Sequence, residues 1–173
     1  SMYSERIQNT EIMNDENRMG WHQNNGMTYI YDSDQDQYTD NFWNTVNPLR
    51  LPGTTVVPVN IGTGQPDSTG YAQGGDFCSY ESWVGGSSIG DYGISGMAFS
   101  GAISDKAKSG DTGAISYAPN LKGKKSWFMF DDEIVALGAG ITNSGMDLPV
   151  ETTVENRRLG ENADNTFLVD GEE

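Results

Sequence analysis

The sequence predicts an all-β fold, an antiparallel β-sandwich. Three observations lead there. Apolar residues alternate with polar ones in short runs, those runs are bounded by Gly, Asn and Asp, and helical periodicity is almost missing. Only the first 19 residues have helical potential, and there Ile7, Ile12 and Met13 form a weak face. The 22 glycines among 173 residues suit the bends and bulges of a sandwich.

The elements follow in order. Expected strands are Met27 to Tyr31, Thr54 to Asn60, Phe77 to Val84 and Ser95 to Phe99, then Ala114 to Tyr117, Lys125 to Phe130, Glu133 to Ala139, Val150 to Asn156 and Thr166 to Val169. Ser126 to Phe130, then Asp131-Asp132, then Glu133 to Leu137 read as a hairpin with a polar turn. Gly62 to Gly75, Gly85 to Gly93 and Lys106 to Gly113 read as loops. Strand-like segments resume on both sides of each, so none reads as a linker. No internal repeat is evident, and the ending just after a strand-like segment suggests a piece of something longer.

Charge narrows the function. Lys plus Arg is 10 and Asp plus Glu is 25, a net charge of −15. Nucleic acid and anionic membrane surfaces are poor partners for such a chain, because both demand clustered cations. No apolar run approaches the length of a membrane helix. The single cysteine, Cys78, excludes an internal disulfide and a cysteine-built zinc site. No nucleophile elbow, phosphate-binding glycine loop or metal-spaced histidine cluster is present.

Several groups could carry chemistry. Glu11 and Asn14 stand three residues apart and, in a helical turn or a tight loop, can share one side. Such a pair binds a sugar hydroxyl or braces an arginine, or simply caps a turn. His22 is the only histidine, in a turn-like Gly20-Trp21-His22-Gln23-Asn24-Asn25-Gly26, and has no partner pattern for catalysis. Asp32, Asp34 and Asp36 alternate like the start of a calcium loop, but Gln37 stands where that loop needs glycine. An acidic exposed turn is the alternative. Trp21, Tyr29, Tyr31, Tyr38, Phe42 and Trp43 crowd into 23 residues. Aromatic rings beside Asn, Asp and Arg make sugar platforms. Trp21 and Trp43 fit a surface cleft, whereas Tyr29 and Tyr31 fit a core. Arg50, ahead of Leu51-Pro52-Gly53, and the doublet Arg157-Arg158 could each hold a carboxylate in a bidentate fork, or solvate the end of a strand.

The blocks Arg6 to Asn17, Gly20-Trp21, Asn25 to Tyr31, Phe42 to Pro48, Arg50 to Thr55, Lys125 to Phe130 with Asp132 to Ile134, and Glu151 to Arg157 together resemble polysaccharide lyase family 8. That family holds hyaluronate, chondroitin AC and xanthan lyases. The resemblance implies that residues 1–173 are the N-terminal part of the family's central β-sandwich, with about the first 26 a loop-rich segment facing the cleft. It implies β-elimination beside a uronic acid of an acidic polysaccharide, with a helical toroid domain carrying the catalytic Asn, His and Tyr. Glu11 then orients a toroid arginine in a supporting catalytic role, and Asn14, Trp21 and Arg50 contact substrate. His22 is not the family's catalytic histidine. Extracellular location follows from the same resemblance. No cofactor is required, and calcium is left open, with Asp32, Asp34 and Asp36 as its candidates.

Glu11 alone would repel a uronate, so these 173 residues by themselves are expected to be silent. Hyaluronate or chondroitin is placed slightly ahead of xanthan as substrate. The rival readings are a glycan-binding or structural sandwich without chemistry, and a half-scaffold that reassembles with a helical chain.

Overall fold

The computed structural model describes residues 22–23, 25–31, 36–39, 41–58, 81–100, 120–144, 147–159, 162, 166 and 168–172. Glu11, Asn14, Trp21, Asp32 and Asp34 lie outside these residues, as do the expected loops 62–75 and 106–113, the expected strand 114–117 and the helical potential of the first 19 residues.

The described residues are mostly antiparallel β-structure, as the sequence predicts. Four strands form a meander in the order β2 (Val84–Ile89), β3 (Tyr92–Ser100), β4 (Leu121–Met129) and β5 (Ile134–Asn143). A second, two-stranded sheet pairs β1 (Thr55–Val56) with β6 (Glu151–Thr152). The β4–β5 hairpin forms as expected. Met129 pairs with Ile134, and Phe130 N donates to Glu133 O at 2.9 Å across the Asp131-Asp132 turn. A register shift between Lys122 and Lys124 sets Gly140 and Ile141 of β5 against Gly123 of β4, a bulge in β5 where Gly140 has φ +61°.

Some expectations are corrected. Gly85 to Gly93, expected as a loop, is largely β2 and the turn into β3. Ile89 pairs with Tyr92 around Gly90-Asp91, and Gly90 has φ +55°, the left-handed geometry that a first-position glycine gives a two-residue hairpin turn. Met27 to Tyr31, expected as a strand, joins no described strand pairing. Its amides go elsewhere: Thr28 N donates to Pro52 O at 2.9 Å and Ile30 N to the Tyr38 hydroxyl at 2.9 Å. Val150 to Asn156 keeps only β6 as strand, and Val169 makes a single bridge to Glu172. A 3-10 turn (Asp36–Tyr38) and the four-residue helix α1 (Phe42–Thr45) occupy a stretch where no helix was expected.

The core gathers Leu51, Val56 and Val57 with Met97, Ala98 and Phe99 of β3 and Leu121 of β4. Burying each large side chain contributes roughly 1.5–3 kcal/mol. Lys125 of β4 sits among them at 6 % exposure. Its ammonium donates to Gly53 O and lies 5.9 Å from the Phe99 ring centroid. One buried cation thus ties the meander to the turn that precedes β1. Burial lowers the Lys125 pKa to about 8, since the charged form loses its hydration.

Candidate functional site

The polar part of the site is a clasp between residues 36–56 and 151–158. At its floor Thr55 pairs with Thr152 and Val56 with Glu151, and the two threonine hydroxyls lie 2.9 Å apart. Arg50 reaches across as a fork. Its Nε donates to Glu151 Oε2 at 2.9 Å and its Nη2 to Glu151 Oε1 at 3.2 Å. Asn156 Nδ2 donates to Arg50 O at 2.9 Å. Gln37 is the hub of the next layer. Although polar, it is buried, because both ends of its amide are used: Nε2 donates to Asn156 O at 3.3 Å, and Oε1 accepts from Arg158 N at 2.7 Å. Arg158 Nη1 donates to Asp36 O at 3.2 Å.

Arg50, expected to contact substrate, therefore already grips a carboxylate in the geometry such a contact needs. A substrate carboxylate would have to displace Glu151. The pair is exposed at 47 % and 37 %, so water screens it. A double-mutant cycle of Arg50→Ala and Glu151→Ala, read by urea unfolding, is expected to return a coupling of about 0.5 kcal/mol. A coupling of several kcal/mol would mean that Arg50 is held as a structural strut.

Against the clasp lies a chain of aromatic rings. Tyr29 meets Tyr38 at 5.5 Å and Trp43 at 6.4 Å. Tyr31 meets Tyr38 at 5.1 Å, Tyr38 meets Phe42 at 5.4 Å, and Phe42 meets Trp43 at 5.0 Å. Only Phe42 among them is buried. Trp43 is exposed as expected, at 45 %, whereas Tyr31, expected as core, is 65 % exposed. Residues 27–31 have no ladder partner among the described residues, and so no strict in-and-out alternation to turn Tyr31 inward. The Tyr38 pKa is raised, chiefly by burial, while its bond from the Ile30 amide and the charge of Arg157 pull the other way.

His22 is fully buried, at 0 % exposure. Asn25 N donates to His22 O at 2.9 Å, closing the expected turn. The Asn25 side-chain amide nitrogen lies 3.1 Å from His22 Nδ1; with that NH2 donating, Nδ1 accepts and a neutral ring carries its proton on Nε2. Burial lowers the His22 pKa to about 4, so the ring is neutral near pH 7. Sequence reasoning missed this burial. The signal was Asn25-Gly26, with Gly26 at φ +91°, which folds the chain back over β4. Asp36 opens the 3-10 turn, and its carbonyl accepts from Thr39 N at 3.2 Å. Among the described residues, no group of three or more His, Cys, Asp or Glu side chains could hold a metal ion.

Residues 1–173 match the family described as polysaccharide lyase family 8, super-sandwich domain. The chain belongs to polysaccharide lyase family 8. Relatives in that family include a xanthan lyase of Bacillus sp. (strain GL1), 41 % identical over 172 residues, with 99 % of this chain and 16 % of that protein covered. A hyaluronate lyase of Thermasporomyces composti is 39 % identical, with 99 % of this chain and 19 % of that protein covered. A Paenibacillus xanthan lyase structure superposes with a TM-score of 0.72 at 43 % identity, over 99 % of this chain and 14 % of that one. A Streptomyces coelicolor A3 chondroitin AC lyase (a Y253A mutant) gives 0.69 at 38 % identity, over 93 % of this chain and 19 % of that one. This family 8 chain thus spans less than a fifth of the length of each of these relatives.

Proposed function

We propose that the chain is the front of the central sandwich of a secreted lyase that cleaves uronate-containing glycans, hyaluronate or chondroitin, by β-elimination. The observation that carries the reading is the family match along all 173 residues. Relatives named hyaluronate lyase and chondroitinase-AC support the substrate class. A second reading, xanthan, draws on the 41 % and 43 % identities to xanthan lyases.

β-Elimination requires that the uronate carboxylate be neutralised, the C5 proton removed and the C4 leaving oxygen protonated. In this reading the base and acid belong to a helical domain. Glu11 holds an arginine of that domain in place, and Asn14, Trp21 and Arg50 contact the sugar. Arg50 fits such a role chemically, because its fork already matches a carboxylate. Calcium, if bound through Asp32, Asp34 and Asp36, is assigned no step.

The purified chain is expected to release no unsaturated uronate from hyaluronan, chondroitin or xanthan, measured by ultraviolet absorbance. The polypeptide that joins it to a helical domain is expected to turn over one of the three. There, Glu11→Gln is expected to lower kcat/KM by roughly a hundredfold, because a misplaced arginine loses its alignment with the carboxylate. Turnover by the 173 residues alone, or a Glu11→Gln variant of unchanged rate, would overturn these assignments.

A further inference from the structure

The aromatic chain and the arginine doublet have no task in β-elimination, yet they form one surface. Asp36 and Gln37, immediately before Tyr38, receive the Arg158 guanidinium and backbone amide respectively. Arg157 is close enough for its charge to act on the Tyr38 hydroxyl. Both arginines are exposed. Three of the chain's five arginines, Arg50, Arg157 and Arg158, converge on this clasp in a molecule of net charge −15. Among the described residues, Arg157 and Arg158 stand beside the Tyr38 part of the ring chain, with Glu155 paired to Arg157.

The ring geometry suits a flat, partly apolar ligand. Tyr31 stands on Tyr38 and is 65 % exposed. Trp43 stands on Phe42 and is also exposed. Tyr38, with its hydroxyl fixed by the Ile30 amide, lies between them in the chain of contacts. Rings held by edge contacts with their neighbours lose little entropy when a ligand stacks on them. Sugar rings have C–H faces that pack on aromatic carbon and hydroxyl rims that take hydrogen bonds. A purely apolar partner would leave the guanidinium groups desolvated.

We propose that Tyr31, Tyr38 and Trp43, with Arg157 and Arg158 at their rim, form a binding subsite for an acidic oligosaccharide, stacking its rings on the aromatics and meeting its carboxylates with the arginines. The subsite rests on the proposed glycan substrate but not on any chemical step. Glu155, which takes Arg157 Nε at 3.2 Å, is the carboxylate a ligand would displace, so binding weakens as salt rises.

The test is calorimetric titration of the 173-residue chain with a hyaluronan octasaccharide and, separately, with neutral maltooctaose. Saturable binding of the acidic sugar is expected, with weaker binding of the neutral one. Tyr31→Ala and Trp43→Ala are each expected to weaken the acidic sugar roughly tenfold, while Tyr31→Phe, which keeps the ring, binds like the parent. Arg158→Gln is expected to narrow the gap between acidic and neutral sugars. Both aromatic positions are exposed, and circular dichroism of the variants checks that the fold is kept. No saturable binding, equal affinity for both sugars, or alanine variants that bind like the parent would each overturn the subsite. The lyase reading fails separately, on absence of unsaturated product from the polypeptide that includes a helical domain.

Discussion

Replacing Gly53 by alanine is expected to destabilise the chain by about 3 kcal/mol, of which roughly 1 kcal/mol is the backbone penalty and about 2 kcal/mol is overpacking. Gly53 has φ +82°, a conformation that a Cβ disfavours. A Cβ there would sit 2.8 Å from Gly26 O and overlap Thr28 Oγ1. The residue cannot shift to relieve this, because both of its peptide groups are engaged. Its amide donates to Thr153 O at 2.7 Å, and its carbonyl accepts from the Lys125 ammonium. Gly90→Ala is the control. Gly90 also has positive φ, at +55°, but a Cβ added there would meet nothing within 4 Å, so only the backbone part, about 1 kcal/mol, is expected. Urea unfolding of both variants checks the difference. Equal losses would show that the crowding around Gly53 carries no energy.

Acidification gives the second large effect. The His22 pKa is about 4 in the folded chain against 6.5 as the ordinary value, because burial disfavours the cation. Between those values the unfolded chain binds the proton and the folded chain does not, so stability falls as pH falls from 6.5 towards 4. Above 6.5 the penalty is absent, and below about 4 it is complete at about 3 kcal/mol. The −15 charge acts oppositely, since protonating carboxylates relieves repulsion. The measurement is therefore a comparison. His22→Gln, whose side-chain carbonyl can still accept from Asn25, is expected to lack the histidine part of the acid loss. Parallel stability–pH curves for the two proteins would sink the assignment.

How legible these features were in the sequence depended on whether they were local. The β4–β5 hairpin was legible because Ser126 to Phe130 and Glu133 to Leu137 flank an aspartate pair, and all the needed information lies within a dozen residues. β2 was hidden because Val84 to Ile89 is mostly Gly and Ser, and its strand state comes from pairing with Tyr92 to Met97 rather than from propensity. The Gly90-Asp91 turn was the available clue. The 3-10 turn and α1 were invisible because neither is long enough to show helical periodicity. Of the site, the exposure of Trp43 was readable from its place outside any strand. The engagement of Arg50 with Glu151 was not, because the partners are 101 residues apart. The inward turn of Lys125 was equally hidden, since the carbonyl that accepts its ammonium, Gly53 O, lies 72 residues away. Glu11, Asn14 and Trp21 rest on the resemblance alone.

The clasp has a consequence for how the molecule assembles and how it can vary. Its bonds span long loops: 97 residues between Thr55 and Thr152, 119 between Gln37 and Asn156, and 122 between Asp36 and Arg158. The β2–β3 and β4–β5 turns, by contrast, join near neighbours such as Ile89 with Tyr92 and Met129 with Ile134. Local hairpins close in microseconds, whereas non-local pairings wait for their loop entropy to be met. The meander should therefore form first and the clasp last, as a seam drawn shut around it. Because closure entropy grows only with the logarithm of loop length, doubling the enclosed chain costs about 0.6 kcal/mol. Segments inserted between the two sides of the seam are then nearly free in stability. Such a frame can lengthen its loops from one relative to the next while keeping the surface around Arg50, Gln37 and Arg158 in register.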